Sequence, residues 1–218
     1  TSAAGSRRIN VTTLTTTQAR QALQTRLTQR GITTQRAAQI MARIPFNAQN
    51  PNQNQPLTSV ADFMVTSRMT AEEWVLVHTD LTGVASTVTS GVAPGLVNVN
   101  TASFAVLSAI PGIGPDRAPD LIAFRASNPD QLTSFAWLTQ VMSPGQIRQA
   151  GRYITGLSYQ FSADIAAVGK NGRGYCREKV VFDMSTGVPR IVYRQDITAF
   201  GWALGATTRR ALLAPKDA

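Results

Sequence analysis

Cysteine and histidine are nearly absent from this chain: Cys176 and His78 each stand alone in 218 residues. One cysteine excludes an internal disulfide and a zinc site built on thiolates. One histidine argues against the usual triads and the commonest metal sites, and His78 reads as a surface or capping residue. Long apolar runs are missing as well; none approaches the roughly 20 residues that span a bilayer. The opening Thr1-Ser2-Ala3-Ala4-Gly5 has neither methionine nor a basic-then-apolar leader, so the chain reads as a processed protein.

Acid is missing where base is dense. From Thr1 to Ala61 stand Arg7, Arg8, Arg20, Arg26, Arg30, Arg36 and Arg43, with no Asp or Glu. From Asp62 to Asp130 the balance reverses, with Asp62, Glu72, Glu73, Asp80, Asp116, Asp120 and Asp130 against Arg68, Arg117 and Arg125. The sum is +9, but this asymmetry says more than the sum. The arginines alternate with Gln and Thr and lack aromatic neighbours, which predicts a solvated helix face and not a nucleic-acid stripe. A composition of 43% hydrophobic and 15% charged residues belongs to a folded protein.

Helical spacing of Ala19, Ala22, Leu23 and Leu27 predicts a helix over 17–30, ended by Gly31. Thr34 opens a second helix that stops before Pro45. Asn47 to Pro56 is a Gln/Asn/Pro loop. Ser59 caps a short helix, and Thr70 with Glu73 forms a capping box for the next. Leu81 to Pro94 reads as a loop. Leu132, Phe135, Trp137 and Leu138 predict one further apolar helix, and Ser143-Pro144 starts another. From Thr155 the period changes to two: Tyr159, Phe161, Ala163, Ile165 and Ala167 alternate with Gln160, Ser162, Asp164 and Ala166. Turns at Lys170-Asn171-Gly172 and Ser185-Thr186-Gly187 would join this strand to Tyr175–Asp183 and Arg190–Asp196. Helices followed by an antiparallel meander predict an α+β fold.

The richest stretch is Leu96 to Arg125. An extended run, Val97-Asn98-Val99-Asn100, leads into a helix expected to begin at Thr101. Pro111-Gly112-Ile113-Gly114 then turns into a second helix, the layout of a helix-hairpin-helix. In such a unit Gly112, Ile113 and Gly114 can offer backbone N–H groups to a phosphate, with Arg117 beside them. Against this, Pro115 has no N–H, and Asp116 and Asp120 carry the wrong sign. The plainer reading is a tight helix–helix turn with Ile113 in the core.

Several phrases, taken in order, resemble the minor pseudopilin K family of bacterial type II secretion. They are Gly5 to Leu14, Pro56-Leu57-Thr58-Ser59-Val60-Ala61-Asp62-Phe63-Met64, Arg68-Met69-Thr70-Ala71-Glu72-Glu73-Trp74 with Arg68 where Gly is usual, Val97-Asn98-Val99-Asn100-Thr101-Ala102, and the closing meander. The resemblance implies a pilin-like antiparallel sheet interrupted by a large helical insertion. Residues 1–14 would give the first strand of that sheet, 15–154 the helical domain with the hairpin unit, and 155–218 the C-terminal meander. It implies a structural filament-tip subunit in a hetero-complex with the I- and J-type minor pseudopilins, with secreted cargo as a further contact and no nucleic acid. The location implied is the periplasmic face of the inner membrane, with a membrane helix absent from this sequence. The family's calcium site is not expected, because the matching Phe46 to Gln55 has Asn and Gln but no carboxylate.

No catalytic role is expected. Glu72 and Glu73 are adjacent and point to different helix faces. Gly169-Lys170-Asn171-Gly172-Arg173-Gly174 has phosphate-loop letters but joins two strands. Cys176 falls in a strand, where packing is the usual role.

Overall fold

The computed structural model describes residues 8–47, 49–50, 54–83, 95–169, 174–184 and 187–202, with 205, 207 and 210. The chain is α+β, and it divides after Ser158 into a helical unit and a sheet unit. Among the described residues no helix is long and apolar enough to cross a membrane.

The helical unit starts with β1 (Ile9–Asn10), followed by α1 (Thr17–Gln29) and α2 (Thr34–Arg43). Thr16 and Thr33 cap the two helices by accepting hydrogen bonds from Ala19 and Arg36 N–H, as short oxygen-bearing side chains do at a first turn. Ser59 does the same for α3 (Val60–Ser67). The predicted capping box of Thr70 and Glu73 opens α4 (Ala71–Val77). His78 closes α4: its Nδ1 lies 3.2 Å from the Trp74 carbonyl and 3.1 Å from that of Val75. Carbonyls only accept, so Nδ1 is the protonated nitrogen.

Two pairs of very short parallel strands tie distant parts of this unit together. β1 pairs with β2 (Leu81–Thr82), and β3 (Val97–Asn98) pairs with β4 (Ile154–Thr155). The first pairing corrects the expectation that residues 1–14 add a strand to the C-terminal sheet. Ile9 faces Leu81 instead, so the described part of that segment belongs with the helices; residues 1–7 lie outside the described ones. The second pairing carries the helical unit past the expected boundary at 154. The segment 132–138 is also not one helix. A 3-10 turn at Pro129–Gln131 and bends separate it from the four-residue α7 (Leu138–Val141), although Phe135, Trp137 and Leu138 are buried as their apolarity requires. The last helix of this unit, α8 (Pro144–Ala150), has its own capping box from Ser143 and Gln146.

The core of this unit is continuous, from Val11, Leu23, Leu27 and Ile40 through Phe63 and Trp74 to Leu107, Leu121, Trp137 and Ile147. Its basic segment is not a solvated face. Arg30 binds the Asp80 carboxylate through Nε at 2.5 Å and Nη2 at 2.9 Å, with Arg26 Nη1 at 3.2 Å. Arg36 grips Glu73 at 2.6 and 2.8 Å. Arg20 donates to the Met41 and Ile44 carbonyls at the end of α2, and Arg43 to that of Ser67. The acid-free opening thus meets its counter-charges in the acidic third, and five of the seven arginines lock helices together. Arg7 lies outside the described residues.

The sheet unit is the antiparallel meander β5 (Gln160–Val168), β6 (Tyr175–Asp183) and β7 (Arg190–Asp196). Phe161 pairs with Phe182 and Phe182 with Ile191; Ala163 pairs with Val180 and Val180 with Arg194. A bulge between Val181 and Phe182 leaves Val192 outside the one-to-one register. The predicted turns at 170–172 and 185–186 lie outside the described residues.

Candidate functional site

The hairpin consists of α5 (Phe104–Ser108), the turn at 111–113 and α6 (Gly114–Ser127). The first helix starts three residues later than expected because Asn98 holds the chain before it. Asn98 Oδ1 accepts from Asn100 N–H, and the Asn98 carbonyl accepts from Thr101 and Ala102 N–H. Asparagine stabilises such a turn by bonding its own backbone two residues on.

Asn100 is the joint of the whole region. Its Nδ2 donates to the carbonyls of Leu132 at 2.8 Å, Gly156 at 3.0 Å and Ser134 at 3.2 Å, while its Oδ1 accepts from Trp137 Nε1 at 2.8 Å. Trp137 in turn stacks on Phe124 of α6, with ring centroids 5.1 Å apart and planes 6° from parallel. One amide thereby fixes the entry to the hairpin, its second helix and the strand β4. Sequence reasoning noticed the Asn-Val-Asn phrase but not this role, since a single asparagine has no spacing signature.

The turn itself faces inward. Gly112 has φ +87°, and a Cβ there would meet the Gln146 carbonyl at 2.6 Å and Ala150 N at 3.0 Å, so only glycine lets the turn seat against α8. Ile113 is buried. Ile113 and Gly114 N–H both donate to the Ile110 carbonyl at 3.1 Å. Of the N–H groups that could face a phosphate, two are therefore used internally and Pro115 has none. Asp116 N–H precedes the first intrahelical bond of α6, which has no side-chain cap.

The charges follow the same pattern. Arg117 Nη1 pairs with Asp120 at 3.2 Å on the surface. Arg125 Nη1 donates to the Val99 carbonyl at 2.9 Å, and burial pushes its guanidinium below the ordinary arginine value. The four residues of the alternative phosphate-grip reading, Gly112, Ile113, Gly114 and Arg117, lie at the turn and in the first turn of α6. Two of them are committed to packing, and Arg117 already has a counter-charge.

Residues 92–143 match the helix-hairpin-helix motif family, a stretch well short of half the chain. No curated protein and no solved structure matches the chain.

Proposed function

We propose that this chain is the periplasmic part of a minor pseudopilin of the K type, a structural subunit at the tip of a type II secretion pseudopilus. In this reading the hairpin is scaffold, the C-terminal meander is the pilin-like sheet, and an inner-membrane anchor lies outside the sequence. The observation that carries it is the inward commitment of the hairpin: Gly112, the Ile113 and Gly114 N–H groups and Arg125 hold the fold together. The order of the family-like phrases supports the same reading. So does the sheet unit, where Phe161 is 51% and Ile191 55% exposed on one face. Apolar side chains paired side by side on an open sheet suit a protein partner.

The test is assembly. The chain is mixed at micromolar concentration with purified soluble domains of I- and J-type minor pseudopilins and followed by size-exclusion chromatography with light scattering. A hetero-complex is expected; three separate monomers would refute the proposal.

A second reading has one specific support, the family match over 92–143: a helix-hairpin-helix module binding nucleic acid through the start of α6. It requires anisotropy of labelled DNA to rise at physiological salt, since a built phosphate grip outlasts nonspecific attraction. It also requires Arg117→Ala to abolish the signal. Gly112 variants are a poor probe, because a Cβ there strikes the α8 backbone whether or not DNA binds.

A further inference from the structure

The helical unit has one feature that the scaffold role does not use. A cleft of about 430 Å³ is lined by Thr58, Asp62, Pro111, Arg148, Arg152 and Tyr153. Asp62 is buried and its carboxylate is saturated. Oδ2 accepts from Thr58 N–H at 3.0 Å and Thr58 Oγ1 at 3.3 Å; Oδ1 accepts from Thr66 Oγ1 at 3.3 Å and Arg148 Nε at 3.1 Å. It therefore holds Arg148 by one edge, and the guanidinium keeps its Nη groups for another acceptor. Arg152, four residues on, is exposed and makes no hydrogen bond or ion pair among the described residues. Two guanidiniums and one carboxylate leave the cleft with one net positive charge.

Beside this charge lies an apolar shoulder. The register Val97 to Ile154, with Val97 N–H donating to the Tyr153 carbonyl at 2.8 Å, sets Leu96 next to Tyr153. Tyr153 is 46% exposed and Leu96 52%. We propose that this cleft is a recognition site for an acidic peptide segment of a partner protein. One Asp or Glu would be taken by Arg148 and Arg152, and the apolar residue next to it would lie on Tyr153 and Leu96. Arginine suits this task because its planar fork receives a carboxylate through two parallel N–H groups. A nucleic-acid strand fits less well: it brings a run of phosphates, and the adjoining hairpin carries Asp116 and Asp120. The proposal rests on the reading of the chain as a protein-binding subunit and names one place where a partner would dock.

The test is a displayed library of random eight-residue peptides, panned on the full chain and on its Arg152→Glu variant. Arg152 is exposed and makes no hydrogen bond or ion pair among the described residues, so the variant is expected to keep the parent's thermal midpoint. The expected result is enrichment of Asp or Glu beside an aromatic or aliphatic residue. Affinity by fluorescence anisotropy should fall at least tenfold in Arg152→Glu, and equally when the peptide's acid becomes its amide. Recovery of peptides without acidic preference, or equal binding to the variant, would overturn the proposal. So would a labelled single-stranded oligonucleotide that binds in place of the peptides and is lost in Arg152→Glu. Assembly of the unaltered chain with the two pseudopilin domains is read separately. No assembly with an intact acidic preference would refute the filament reading alone; assembly without that preference would refute the cleft alone.

Discussion

The two units solve opposite problems. The helical unit buries polar groups against specific partners: Asp80 is enclosed with two arginines, and Asn100 satisfies three carbonyls and an indole, although the buried Trp74 Nε1 has no hydrogen-bond partner among the described residues. The sheet unit keeps its polar pairs at the surface, Asp164 with Arg177 and Glu178 with Arg194, and leaves Phe161, Ile165 and Ile191 half open. Val180 and Ile197 are its buried apolar residues among those described. The first unit is specified from within, through hydrogen bonds that cost dearly when left unmade. The second has little interior of its own, and three strands with one apolar face are close to the minimum for an independent sheet.

That contrast is sharpest at Asp80. Asp80→Asn leaves Arg26 and Arg30, both of which reach solvent, facing a buried neutral amide, and the expected loss is about 2–4 kcal/mol. Urea denaturation measures it, and a loss under about 1 kcal/mol would show that the carboxylate is not closed off. Acid acts on the same contact. Burial works against the Asp80 carboxylate, yet the hydrogen bond and charge of Arg30, then Arg26, hold its pKa below the ordinary aspartate value. Glu73 is likewise lowered, chiefly by its hydrogen bond from Arg36. A carboxyl depressed by folding contributes stability that is complete above its unfolded pKa, near 4, and is lost as pH falls through the folded value. The denaturation midpoint should therefore hold steady above about pH 5 and fall below about pH 4. In Asp80→Asn that fall should be shallower.

Asn100→Ala comes next. It strands the Trp137 N–H and three carbonyls, some of which water can reach, so about 2–3 kcal/mol is expected. Near-ultraviolet circular dichroism should also change, since Trp137 loses the bond that orients it against Phe124. A variant with unchanged stability and spectrum would remove Asn100 as the joint of the hairpin.

Much of the local structure could be read from sequence because its causes are local. The capping box at Thr70, the helix start at Ser143-Pro144, the Gly31 stop and the two-residue alternation of the meander each lie within a few positions. What escaped depends on distance. Arg30 meets Asp80 fifty residues on, Asn100 meets Gly156 across fifty-six, and Ile9 pairs with Leu81. Two-residue strands carry no periodicity at all, and so nothing in the opening strand tells which sheet it joins. The hairpin was visible from Pro-Gly-Ile-Gly, but not which way its donors point.

The open face of the sheet predicts a smaller effect. Burying a whole phenylalanine is worth about 1.5–3 kcal/mol, and Phe161 is half exposed, so Phe161→Thr should cost only about 1 kcal/mol. If the face is a partner surface, the same change should weaken hetero-complex assembly more than it weakens the fold. Chromatography of the mixture and a denaturation curve of the chain alone separate the two. A loss of about 3 kcal/mol in the chain alone, the value of a fully buried ring, would mean that the face is already covered.

The smallest effect has the opposite sign. Arg68 ends α3 with φ +50°, the left-handed conformation that a Cβ disfavours by about 1–2 kcal/mol. Its side chain is exposed and makes no hydrogen bond or ion pair among the described residues, whereas its carbonyl accepts from Arg36 and Arg43. Arg68→Gly keeps the carbonyl and relieves the backbone, against an added unfolded-state entropy of about 0.5–1 kcal/mol. The relief of strain outweighs the entropy, so the variant should be more stable by about 0.5–1 kcal/mol. A thermal midpoint higher by a few degrees is expected; a lower one would mean that the arginine side chain, and not its carbonyl, holds the end of α3.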